Sequence, residues 1–135
     1  MAILEWSESL SVNIHIMDEQ HHQLLRMVNT LYDAMQNQTN TDPVHSILEQ
    51  MHQYAITHFG TEEAFMEQHT YPEILPHKEE HQKFIDKISQ IRLHEQTETA
   101  ANSIDLINFL SNWLVDHIHG TDKKLGAYLA SCGVH

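Results

Sequence analysis

The sequence predicts an all-α fold: an up-down-up-down antiparallel four-helix bundle with an N-terminal arm and a short C-terminal helix. Three observations lead there. Gly and Pro are scarce, four and three in 135 residues, so breaks in regular structure are few. Val, Ile and Thr nowhere alternate with polar residues over a long stretch, so no strand signal arises. Apolar residues recur at spacings of three and four in four segments of similar length, and most connections between them are short. Helices of that kind pack antiparallel.

The elements follow in order. Residues 1–17 form an arm whose Trp6, Leu10, Val12 and Ile14 suit packing on the bundle. The first helix is expected from about Asp18 to Gln38, with Leu24, Leu25, Val28, Leu31, Tyr32 and Met35 on one face. "NQTNTD" reads as a loop. The second helix runs from about Pro43 to Gln68, with Asp42 as N-cap and Pro43 at the first helical position. Its stripe is Ile47, Leu48, Met51, Tyr54, Ala55, His58, Glu62 and Phe65. "HTYPEILP" then breaks the pattern with two prolines. The third helix runs from about Glu73 to His94, with Pro76 in its first turn and a stripe of His77, His81, Phe84, Ile88 and Ile91. After "EQTETAANS" a fourth helix covers about Ala101 to His119, with Ile104, Ile107, Leu110, Trp113, Leu114 and His117 on one side. Gly120 is the expected stop. "DKKLGAYLA", in the closing segment 121–135, reads as a short helix. One domain accounts for all 135 residues.

Composition narrows the function. A formal net charge of −12 argues against nucleic acid and against anionic membrane surfaces, both of which call for Lys and Arg. No run of 18 apolar residues is present, so no membrane span is expected. The N-terminus lacks a basic start followed by an apolar core, so a cytoplasmic location is expected. Cys132 is the single cysteine, which rules out an internal disulfide. Nothing demands more than a monomer.

The stripes contain polar residues where apolar ones belong. One turn before Leu24 and Leu25 the first stripe meets His21; the others carry His58 with Glu62, His77 with His81, and His117. These fall at the start of the first helix, the end of the second, the start of the third and the end of the fourth. In an antiparallel bundle those ends coincide, so six polar residues converge on one layer of the core. A buried neutral polar group without a partner costs about 2 to 7 kcal/mol. A metal satisfies imidazoles and a carboxylate together, and the i,i+4 pairs His58/Glu62 and His77/His81 each put two donors on one helix face. Five histidines and a glutamate exceed what one ion can use, so two metals and a second bridging carboxylate are expected. His22 points about 100° away from His21 and reads as solvent-facing; Glu63 likewise faces away. His15, His45, His52, His69, His94, His119 and His135 read as surface or tail. Asp122 follows His117 by five, about 140° off one face of a regular helix. A π-bulge or break at Gly120 would bring it back to the layer; otherwise it is a first-turn acid of the last helix.

The stretches "MDEQHHQL" (17–24), "HFGTEEAFM" (58–66), "YPEILPHKEEHQKF" (71–84) and "WLVDHIHGTD" (113–122), with the arm "EWSESLSVNIHIMD", carry a resemblance. In them the chain resembles the hemerythrin family, and within it the small single-domain bacterial hemerythrins. The resemblance implies a metal site of His21, His58, Glu62, His77, His81, His117 and Asp122. It implies two iron ions bridged by an oxo or hydroxo group and by the carboxylates of Glu62 and Asp122. His77, His81 and His117 would hold one iron, and His21 and His58 the other, which keeps an open position for dioxygen. Leu114, Trp113, Leu24, Leu25 and Phe59 are candidates to line an oxygen pocket. The expected function is reversible dioxygen binding, for storage, delivery or sensing, and not an enzyme activity. Two alternatives stay open: a di-iron oxidase or peroxidase, and a regulatory module. Thirteen residues follow Asp122, too few for an output domain, so the regulatory reading would need a separate protein partner.

Overall fold

Each apolar stripe finds another to bury against. The computed structural model describes the backbone of residues 4–37, 42–97 and 100–135. In it α1 (His15–Asn37), α2 (Asp42–Gln68), α3 (Ile74–Thr97) and α4 (Ala100–Asp116) pack in ring order, α1 on α2, α2 on α3, α3 on α4 and α4 back on α1. A π-helical turn, His117–Asp122, carries α4 into α5 (Lys123–Ser131). No strand occurs among the described residues. The architecture is the antiparallel four-helix bundle.

The core follows the three-and-four spacing. Met17, Leu24, Leu25, Val28, Leu31 and Met35 are buried on α1, Leu48, Met51, Ala55, Phe59 and Met66 on α2, Phe84, Ile88 and Ile91 on α3, and Ile107, Leu110 and Leu114 on α4. Ile47, Tyr54 and Phe65, expected in the α2 stripe, are only half-buried; Met66, one residue beyond Phe65, takes the buried position. α2 starts at Asp42, one residue before the expected Pro43; the side chains of Asp42, Pro43, His45, His94 and Ile104 lie outside the described residues. So do residues 38–41 and 98–99 of the two expected loops.

Several boundaries differ from expectation. α1 begins at His15, not Asp18, because Ile14 and Met17 are fully buried and the helix starts as soon as the chain reaches the core. α3 continues to Thr97. Gly120 does not stop the fourth helix: it sits inside the π turn, and helical structure continues to Ser131. The real stops use left-handed residues. Thr70, with φ of 53°, ends α2 while Tyr71 N–H bonds back to the Met66 carbonyl at 2.9 Å. Gly133, with φ of 89°, ends α5 while Val134 N–H reaches the Leu129 carbonyl at 3.0 Å. Both are the six-to-one bond of a Schellman cap.

The arm is fastened along α1. Asn29 pairs with both backbone groups of Leu4, each at 2.8 Å. The Asp18 carboxylate accepts from Val12 N–H at 2.8 Å and from the Ser11 hydroxyl at 2.6 Å. Leu10, Val12 and Ile14 are buried. Trp6 stacks on His22 with ring centroids 4.1 Å apart, so His22 is half-buried under the arm and not solvent-facing. α5 closes over the arm: a Cβ on Gly126 would run into the Val12 carbonyl oxygen. Only glycine allows that approach.

Candidate metal centre

The four helices and the π turn bring seven polar side chains together at one end of the bundle. His21 comes from α1, His58 and Glu62 from α2, His77 and His81 from α3, and His117 and Asp122 from the two ends of the π turn; all are 0 to 3% exposed. Bonding of the i→i+5 kind brings residues five apart onto one side, which is how Asp122 joins His117. The Asp122 side chain does not cap α5.

The two carboxylates divide the imidazoles into two sets. Glu62 Oε1 lies 3.1 Å from His77 Nε2 and 2.8 Å from His81 Nε2. Asp122 Oδ1 lies 3.0 Å from His77 Nε2 and 3.2 Å from His117 Nε2. The other oxygens face the other set: Glu62 Oε2 is 3.0 Å from His21 Nε2 and 2.8 Å from His58 Nε2, and Asp122 Oδ2 is 3.0 Å from His21 Nε2. Glu62, His77, His81, His117 and Asp122 thus offer donors to one ion, and His21, His58, Glu62 and Asp122 to a second.

The donors fit metal better than one another. Both Asp122 oxygens, His58 Nε2 and His117 Nε2 are buried with no hydrogen-bond partner, despite their close neighbours. Donors about 2.1 Å from an ion sit about 3.0 Å apart at right angles and about 3.4 Å apart at tetrahedral corners. The observed separations, 2.8 to 3.2 Å, match the right-angled case.

Three imidazoles are oriented from behind. His58 Nδ1–H donates to Gln20 Oε1 at 2.6 Å, His81 Nδ1–H to Glu63 Oε2 at 3.0 Å, and His117 Nδ1–H to Glu80 Oε1 at 2.8 Å. A proton held on Nδ1 leaves Nε2 as the free lone pair, the tautomer a metal needs. The sequence reading missed these partners. Glu63 does face away from the ion layer, yet it reaches the outer edge of His81. The signal was adjacency: Gln20, Glu63 and Glu80 each precede or follow a cluster residue by one.

Without metal the cluster is charged. Burial works against imidazolium, but the Asp122 and Glu62 carboxylates outweigh it and push His21 and His77 up to about 9. His117 is pushed up to about 10 against the same burial penalty, by Asp122, Glu80 and Glu62. Burial would raise Glu62, yet the His58 charge and the hydrogen bonds of His21 and His77 hold it well below the usual carboxylate range. Asp122 is also held down, by His117 and His21, against burial and the Glu62 charge.

Of the expected pocket residues, Leu24, Leu25, Phe59 and Leu114 are buried and Trp113 is half-buried. Phe59 stacks on His81 at 3.9 Å and leans on His58 at 5.6 Å; Trp113 stacks on His117 at 4.5 Å. Among the other histidines His15, His119 and His135 are exposed, while His52 and His69 are half-buried.

Residues 12–129 match a family model described as the hemerythrin HHE cation binding domain. This chain belongs to the hemerythrin family. It is 33% identical over 91% of its length to a bacteriohemerythrin of Stenotrophomonas maltophilia, covering 79% of that protein. To a bacteriohemerythrin of Methylococcus capsulatus it is 29% identical, over 97% of this chain and all of the relative. A crystal structure of wild-type hemerythrin superimposes with a TM-score of 0.83 at 28% identity, covering 96% of this chain and 99% of the other. A non-haem metal site goes with the hemerythrin fold, and the His/Glu/Asp cluster suits one. No helix among the described residues is long and apolar enough to cross a membrane.

Proposed function

We propose that the cluster holds two iron ions and that the chain reversibly binds dioxygen there. The observation that carries this reading is the unequal division of donors, three imidazoles with two shared carboxylates on one side and two imidazoles with the same carboxylates on the other. Right-angled donor spacing suits a six-coordinate ion, and mixed imidazole and carboxylate donors suit iron. With one solvent-derived bridge added, the first set is complete at six and the second is one short, so a diferrous pair would supply two electrons and a place for dioxygen.

The chain's own residues keep that place dry and keep the donors ready. Gln20 holds His58, one of the two imidazoles on the open side, at 2.6 Å. Leu24 and Leu25, one turn from His21 and fully buried, exclude water from that side. Trp113 lies behind His117, on the three-imidazole side, so its part is packing more than pocket. Binding is preferred to turnover because five imidazoles and two carboxylates place less negative charge around the metals than the four Glu and two His of carboxylate-rich di-iron bundles. Less charge gives less support to highly oxidised iron.

Anaerobic iron loading followed by air and then argon tests the reading. One dioxygen should be taken up per two irons and released intact under argon. Prompt irreversible oxidation, or repeated turnover with a reductant, would replace this reading with the oxidase one.

A further inference from the structure

The seven cluster residues are at most 3% exposed, so an ion needs a path to them. Phe59 on His81 and Trp113 on His117 close two sides with face-on rings. The side between the π turn and the start of α3 differs. A cleft of ≈ 550 Å³ opens there, and its lining includes Glu73, His77, Glu80, Gly120, Thr121 and Lys124. His77 belongs to the cluster, and its Nδ1 is buried with no hydrogen-bond partner. The clefts beside Tyr54, Val12 and Arg26 reach no cluster residue.

One wall of this cleft is the π turn, which carries His117 and Asp122 at its ends. Bonding of that kind is rarer and less favourable than α-helix. Glu80 latches the turn to α3: it accepts from His117 Nδ1–H at 2.8 Å and from the Thr121 hydroxyl, 2.8 and 2.9 Å from its two oxygens. Gly120, in mid-turn, has open space where a Cβ would stand. Outside, the Glu73 carboxylate lies 2.8 Å from Lys124 Nζ, both groups exposed.

We propose that this cleft is the vestibule through which divalent cations enter and leave the centre. The Glu80–Thr121 latch is its inner gate, and Glu73, partly neutralised by Lys124, its outer acceptor. Carboxylate oxygen at the mouth followed by carboxylate and imidazole at the floor is a graded set of donors for a first-row divalent ion. The net charge of −12 concentrates such ions at the surface. Opening breaks one hydrogen bond and shifts a segment already outside regular helix, leaving the four-helix core intact. The inference rests on the metal reading of the site and not on dioxygen.

Cobalt(II) added to the metal-free protein in a stopped-flow cell, with EDTA for removal, reads both directions. Thr121→Val should speed uptake and release alike by about tenfold, the effect of losing one hydrogen bond to a charged group, with two ions still bound per chain. Gly120→Leu, which fills the cleft, should slow both; Gln53→Trp, in the cleft beside Tyr54, should change neither. If Gly120→Leu fails to fold, Thr121→Val decides alone. Rates within about twofold of the parent, the scatter of a surface change, overturn the vestibule. So does faster uptake with unchanged release, since a gate acts both ways. A protein that takes up two ions yet binds no dioxygen leaves this inference standing and removes only the proposed function. A protein that takes up none removes both.

Discussion

Glu62 touches four of the five imidazoles with its two oxygens, more than any other cluster side chain. Replacing it by alanine removes one of two shared donors, so Glu62→Ala should fall well below two metals per chain in elemental analysis. Normal two-metal content in that variant would sink the bridging role. Glu63, one residue on, touches only the far nitrogen of His81. Glu63→Ala should keep both metals but weaken binding by about 10- to 100-fold, as loss of such outer partners does, read by competition with a chelator. The difference between these neighbours was legible in sequence, because one residue turns a helix by about 100°. Six of the seven cluster residues could be found that way. Asp122 could not: its face depends on an i→i+5 turn that no periodicity predicts, and its assignment came from the family resemblance. Gln20, Glu63 and Glu80 were hidden for another reason. They flank the stripes and have the composition of ordinary surface.

At the scale of elements, the outer contacts run round the bundle. α1 holds an imidazole of α2 through Gln20, α2 holds one of α3 through Glu63, and α3 holds one of the π turn through Glu80. The first three helices each orient an imidazole of the next element, so helix register and donor orientation are set together. Among the contacts that set the arm, two can be tested by substitution. Gly126→Ala forces its new methyl onto the Val12 carbonyl and should cost about 1 to 3 kcal/mol, the usual penalty of overpacking, seen as a lower Tm. Asp18→Ala removes both bonds to Ser11 and Val12 and should expose the arm to limited proteolysis before the bundle. That the arm packs was readable from Leu10, Val12 and Ile14. How it is held was not, since Asp18 and Asn29 look like ordinary polar helix residues.

At the scale of the molecule, the centre ties stability to protons and to metal. In the metal-free protein His21 and His77 hold protons up to about 9 and His117 up to about 10, against 6.5 for an ordinary histidine. The folded state therefore binds protons that the unfolded state releases. That contribution is full below pH 6.5 and is lost as pH rises through 9 and 10, so the metal-free protein should melt earlier at pH 10 than at pH 6.5. Metal displaces those protons. Loading at pH 7 should release protons to an indicator dye, and the gain in Tm on loading should grow as pH rises from 7 to 9; a gain that shrinks would contradict the sign. The π turn reaches as far as these charges do. Its surplus residue rotates everything beyond it, Asp122 toward the metal layer and also Leu125, Gly126 and Leu129 toward the arm and core. Straightening the turn into regular helix with every residue kept would turn both groups away by about 100°, whereas deleting one residue within it would leave them in phase. Ligand geometry and the closure of the arm are geared through one irregularity, and a lineage that straightened this helix without dropping a residue would have to rebuild both at once.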